Sequence, residues 1–248
     1  MLKGVFQNLR LRASAHGFSC DVCKAEIFDY PHKRLCEDCM AALNRNDKHV
    51  CPKCGRKGAA EGVCLSCKNI LPVFTFGVSP FVYRGETAAL VNRIKNGERR
   101  LAYFFGEEMA NSLISRFPQL QTQELLFVSV PLTKERERER GYNQSHELCE
   151  VVVRCLKEKG VNAEMDEDVL QKRRETSMQK HLGLIERMEN AAGAYHVHKR
   201  AVCKNRILVL VDDIMTTGAT GNECARVLLN AGAQDVYFLV AAALPEIK

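Results

Sequence analysis

The stretch Ile207–Thr220 reads I-L-V-L-V-D-D-I-M-T-T-G-A-T. The unbroken run of β-forming apolar residues from Ile207 to Val211 predicts a strand buried on both faces. The run stops at Asp212 and Asp213, two adjacent acids that do not belong in such a core. Met215–Thr220 is small, rich in hydroxyls and hinged on Gly218, and it leads into a helical pattern in which Val227 and Leu228 repeat the apolar side of Cys224. Strand, tight loop and helix start follow in that order. The N–H groups of a helix start lack intrahelical acceptors, so with the hydroxyls of Thr216, Thr217 and Thr220 and the backbone of Gly218 and Ala219 they suit a phosphate monoester. Asp212 and Asp213 lie across the same pocket, where carboxylates accept hydrogen bonds from sugar hydroxyls. A ribose 5-phosphate meets both demands. The plainer alternative, in which the acids cap the helix and the glycine only turns the chain, accounts for one acid but not two.

The segment resembles the 5-phosphoribosyl-1-pyrophosphate (PRPP) signature of type I phosphoribosyltransferases, which combines a hydrophobic strand, paired acids, T-T-G and a following threonine.

The other end of the chain is organised by cysteine. Cys20, Cys23, Cys36, Cys39, Cys51, Cys54, Cys64 and Cys67 form four C-x-x-C pairs, leaving four of the twelve cysteines for the remainder. Each pair can aim two thiolates at one tetrahedral metal, so eight ligands predict two structural zinc ions. The short spacers favour sequential sites, Cys20/Cys23/Cys36/Cys39 and Cys51/Cys54/Cys64/Cys67. Disulfides and redox thiols are the alternatives, but Met1–Ser19 lacks the apolar core of a signal peptide, and a single motif suffices for redox chemistry. A reducing cytoplasm is the expected location. The formal charge of +6 falls to about +2 once two Zn(Cys)₄ centres, each carrying −2, are admitted. The remaining excess lies in residues 1–72, with 12 Lys/Arg against 7 Asp/Glu. A single-stranded DNA surface is conceivable there, although the chain has no tryptophan; an ordinary solvated surface is the alternative.

These features divide the chain near Pro72 into a small double zinc ribbon, residues 1–72, and an α/β domain, residues 73–248. The ribbon is too small to be stable without metal. No apolar run reaches the length of a membrane span. Residues 73–83 read as one or two strands interrupted by Pro80. Helical patterns follow over 85–95 and 99–116, then a strand over 125–130, a helix over 143–159, a brief strand over 168–171, a helix over 177–190, the 207–211 strand with its helix, and a last strand over 235–242. This alternation predicts a parallel-dominated sheet with helices on both faces, whose ligands bind beyond the strand C-termini. After the 125–130 strand, P-L-T-K-E-R-E-R-E-R-G-Y-N-Q carries Lys134, Arg136, Arg138 and Arg140. By composition it is a solvated loop or helix extension; beside a phosphate cradle, a mobile loop of this charge suits a pyrophosphate.

Together these pieces resemble the ComF family of late-competence and GntX-like proteins. They are the four C-x-x-C pairs, I-K-N-G at Ile94–Gly97, R-G-Y-N-Q at Arg140–Gln144, R-x-T-x-x-Q-x-x-L at Arg174–Leu182 with Arg187 and Asn190 beyond, and the PRPP loop. Tyr142 stands where phenylalanine is expected. The resemblance implies a type I phosphoribosyltransferase-like domain behind a double zinc ribbon, PRPP binding, and a role near DNA uptake. Catalysis at such a site displaces pyrophosphate from C1 by a nitrogen nucleophile, with Asp212 and Asp213 on the ribose hydroxyls and Mg²⁺ with the basic segment on the leaving group. The other reading is a non-catalytic adaptor whose ribbon contacts single-stranded DNA or a helicase. Gln179 and Asn190 fall within about 20° on a helix and so are candidates for the substrate side, or else are surface amides and a helix cap.

Overall fold

Each long apolar run of the sequence becomes a strand of one sheet. The computed structural model describes residues 19–29, 32–174 and 184–246. Its strands are β1 (Phe76–Val78), β2 (Phe81–Val82), β3 (Leu125–Ser129), β4 (Ala163–Met165), β5 (Leu170–Lys172), β6 (Tyr195–Val197), β7 (Ile207–Met215) and β8 (Asp235–Ala243). Its helices are α1 (Glu37–Ala41), α2 (Leu65–Asn69), α3 (Gly85–Lys95), α4 (Arg100–Arg116), α5 (Lys134–Arg140), α6 (Gln144–Glu158), α7 (Leu184–Ala191), α8 (Arg200–Cys203) and α9 (Ala219–Asn230).

The main sheet runs β1-β8-β7-β3-β4, with β2 continuing the β1 edge along β8, and every pairing in it is parallel. Parallel pairing requires crossover connections, which here carry the helices, and it buries the central strands on both faces. Leu208–Val211 and Leu239 are fully buried accordingly. Leu208 and Leu210 pack with Cys224, Ala225 and Leu228 of α9 and with Phe238. Helices α4 and α6 pack on one another and against β3, β7 and β8. Their contact is close because Gly106 has no side chain: a Cβ there would lie 2.6 Å from Val151. β5 and β6 form a separate antiparallel pair.

Contacts divide the chain into Met1–Leu43 and Asn44–Lys248. In the first unit a knuckle turn is closed by Cys20 N–H donating to Ala25 O at 2.7 Å, with Lys24 in the left-handed region. In the second, Cys51 N–H donates to Arg56 O at 2.9 Å and Gly55 takes φ +72°. That second knuckle lies directly on β1. A Cβ on Gly77 would sit 2.2 Å from Cys54 O, and one on Gly55 2.2 Å from Gly77 O, so backbone meets backbone and only glycine fits at either place. The sequence places a boundary near Pro72, where the cysteine-rich composition ends. Contact density divides the chain some thirty residues earlier because residues 44–72 pack on the sheet.

Two further local expectations differ from the fold. The strand predicted to stop at Val211 continues through both acids to Met215, because β8 still offers partners, Asp212 opposite Val240 and Met215 opposite Ala243. The basic segment expected to be a mobile loop is helix α5, capped by Thr133, whose Oγ1 accepts from Arg136 N at 3.3 Å, and ended by Gly141 at φ +81°.

Candidate functional site

Asp212 and Asp213 project from the C-terminal part of β7. Asp212 Oδ1 accepts from Ser145 Oγ at 2.8 Å and from Asp213 N–H at 2.9 Å. Ser145 is buried in the first turn of α6, whose Asn143 cap accepts from its N–H at 3.0 Å. Burial pushes Asp212 up to about 7, and the charge of Asp213 adds to this; the two hydrogen bonds and Lys95 oppose it. Lys95, at the end of α3, brings Nζ to 3.1 Å from Asp213 Oδ2 in an ion pair, and that oxygen is buried with no hydrogen-bond partner. The adjacent acids therefore sit in unlike surroundings: one is neutral or charged near pH 7, the other is matched by an ammonium.

The cradle follows at once. Gly218 takes φ +87° and is the N-cap of α9, with no side chain of its own to satisfy the helix start. Thr217 Oγ1 accepts from Ala219 N–H at 3.4 Å. The next amides, of Thr220 and Gly221, stand where a helix has no internal acceptor, and the helix dipole adds partial positive charge there. Amides so placed are free to donate to an anion.

The structure also assigns the neighbours that sequence reasoning missed. Lys95 and Ser145 belong to motifs that carry the family resemblance or adjoin one, but only the fold shows that both face the acids. Tyr142 is a third case. Its hydroxyl donates to Ile94 O and accepts from Gly97 N–H at 3.0 Å, so it holds the segment that carries Lys95. Arg56 is a fourth, lining a cavity of about 30 Å³ with Met215, Thr217 and Gly218.

Among the basic residues of α5, Lys134 borders a cavity of about 560 Å³ beside Pro131, Tyr142, Arg99 and Lys172. Arg136 pairs with Glu139 at 3.5 Å, Arg138 is exposed, and Arg140 bonds Gln144. Gln179 lies outside the described residues. Asn190, in α7, accepts at its carbonyl from Arg174 Nη2 at 3.1 Å.

The eight knuckle cysteines gather in the sequential groups, with all sulfurs of each group within 4.8 Å of one another. Four sulfurs about 2.3 Å from a tetrahedral metal lie about 3.8 Å apart. Cys23 and Cys36 Sγ are 3.6 Å apart, and Cys54 and Cys64 Sγ 3.7 Å, so both groups fit a metal. They differ in exposure. Cys51, Cys54, Cys64 and Cys67 are all buried, whereas Cys23 is exposed and Cys36 and Cys39 half-buried.

No helix among the described residues is long and apolar enough to cross a membrane. No family model matches the chain. The similarity of the chain to the glutamine PRPP amidotransferase of Bacillus subtilis, complexed with ADP and GMP, has a TM-score of 0.36 and 17% identity over 57% of this chain and 26% of that one; it carries no argument. Sequence relatives are more informative. The competence protein ComFC of Bacillus subtilis is 26% identical over 223 residues, 87% of this chain and 86% of the relative. The DNA utilization protein YhgH of Escherichia coli K12 is 30% identical over 216 residues, 83% and 88% of the two chains. Competence protein F of Haemophilus influenzae is 25% identical over 221 residues, 88% and 86%. An identity at this level, maintained over most of both chains, shows that this protein belongs to the family of the ComF competence and YhgH DNA-utilization proteins.

Proposed function

We propose that the β7–α9 site binds PRPP. The observation that carries this reading is the juxtaposition on one strand end of two acids suited to ribose hydroxyls and an uncapped helix start suited to the 5-phosphate. Asp212 and Asp213 hold the sugar, Lys95 fixes Asp213, and Ser145 fixes Asp212. Residues Thr216–Thr220 hold the phosphate. Lys134, Arg136, Arg138 and Arg140 approach the pyrophosphate. Mg²⁺, when bound with PRPP, supplies positive charge to the departing pyrophosphate. The cysteine groups hold two structural Zn²⁺, as expected for a protein of the reducing cytoplasm, and the relatives' names support a role in competence or DNA use. In the transferase reading, a nitrogen nucleophile displaces pyrophosphate while the carboxylates favour the cationic character that develops on the ribose. In the adaptor reading the same site senses PRPP while the cysteine-rich region meets single-stranded DNA or a helicase partner.

Calorimetry with PRPP and Mg²⁺ tests binding, and absence of binding refutes the reading. Pyrophosphate release in the presence of amines, bases and DNA then separates the two forms. Release dependent on an acceptor identifies a transferase, and binding without release identifies the adaptor.

A further inference from the structure

Between the two C-x-x-C pairs of the second cysteine group, two residues after Cys54, stands an arginine that is not itself a metal ligand. Arg56 is only 4% exposed, and its Nε is buried with no hydrogen-bond partner. Its Nη2 lies 4.0 Å from where a Cβ on Gly218 would be, and it shares the small cavity with Thr217, Gly218 and Ala219. A guanidinium with a donor left over in such a place is costly unless an anion completes it. The backbone that carries it is fixed: its carbonyl accepts from Cys51 N–H at 2.9 Å, and the preceding Gly55 is pressed on Gly77.

We propose that Arg56 is a phosphate-binding residue of the cradle, so that the ligand's phosphate monoester is held between the N-terminus of α9 and a guanidinium supplied by the Cys51–Cys67 module. The planar fork of arginine matches phosphate oxygens, and its charge adds to that of the helix start. A second consequence follows. The metal that shapes the knuckle places a ligand-binding side chain, so loss of that metal weakens phosphate binding although Thr216–Thr220 are untouched. The proposal rests on the reading of Thr216–Thr220 as a phosphate cradle. The competing role for Arg56 is counter-charge to the thiolates of its own cluster, of which Cys54 is two residues away.

The test uses the full chain loaded with two zinc ions, titrated calorimetrically with ribose 5-phosphate, in wild type, Arg56→Met, Arg56→Lys and Thr216→Val/Thr220→Val. Loss of a charge-assisted bond lowers affinity about tenfold to a hundredfold in Arg56→Met, with zinc content unchanged and Arg56→Lys intermediate. Arg56→Met binding like wild type, while the threonine variant is weakened, overturns the proposal and leaves the cradle reading standing. Faster zinc release from Arg56→Met at unchanged affinity assigns the counter-charge role instead and also overturns it. No binding by wild type refutes the cradle reading itself, and the proposal with it. Should Arg56→Met fail to fold, the ¹⁵N–¹H signal of Arg56 Nε in wild type, assigned by its absence from Arg56→Lys, gives an independent answer: a shift on adding ribose 5-phosphate supports the proposal, and none overturns it.

Discussion

Asp212→Asn should make the unliganded protein more stable at neutral and alkaline pH while weakening PRPP. In an unfolded chain this carboxyl ionises near pH 4; in the fold, burial and Asp213 hold it up to about 7. Below pH 4 both states keep the proton and nothing is lost. As pH rises from there to 7 the unfolded chain releases a proton that the fold retains, so stability falls, and above 7 the loss is complete. A displacement of about three pH units corresponds to at most about 4 kcal/mol. Asp212 keeps some solvent contact, which reduces the effect to about 2 kcal/mol. Asparagine fills the same space, can accept from Ser145, and never ionises. The gap between variant and wild type should therefore widen from pH 5 to pH 8, reaching about 4–8 °C in melting temperature. Circular dichroism suits the assay, since the chain has no tryptophan. PRPP affinity of wild type should meanwhile rise from pH 6 to pH 8, because the ionised carboxylate is the better acceptor of ribose hydroxyls. A variant whose stability has the same pH slope as wild type would refute the account of Asp212.

Zinc should leave in two phases on treatment with a chromogenic chelator, the faster from the group containing exposed Cys23 and the slower from the wholly buried group; a single phase carrying both ions contradicts the difference in burial. Gly77→Ala forces a Cβ to within 2.2 Å of Cys54 O, where backbone must yield, so it should cost about 2 kcal/mol or more and speed release of the second zinc. Tyr142→Phe removes the hydroxyl that ties Ile94 and Gly97. PRPP binding should weaken severalfold through a looser Lys95, with little change in melting temperature, and unchanged affinity in calorimetry removes Tyr142 from the site's support.

The sequence discloses the sheet where burial imposes continuous apolar runs, as in β3, β7 and β8, and discloses α3 through its helical pattern over 85–95. It misplaces the end of β7 because acids read as a stop, whereas the ladder to β8 continues whatever the side chains are. Helix α5 is concealed by composition: alternating Arg and Glu has no apolar face, and its Thr133 cap and Gly141 terminus emerge only in the fold. Three-residue β4 shows too little pattern to stand out. The sulfur groups are visible in spacing alone, because C-x-x-C constrains geometry locally. Lys95, Ser145, Tyr142 and Arg56 could not be found that way, since the groups the fold brings beside them are remote in the chain.

The knuckle on β1 also bears on how the protein behaves when it lacks metal. β1 is the outermost strand of the parallel sheet, and its free edge is occupied by the knuckle: Gly77 N–H donates to Lys53 O at 2.8 Å, Lys53 Nζ to Phe74 O and Thr75 O, and Asn46 Nδ2 to Ser79 O. An uncovered strand edge is a template for another chain. Zinc starvation should therefore uncap the sheet, and its first visible sign should be self-association of otherwise folded molecules, growing with protein concentration.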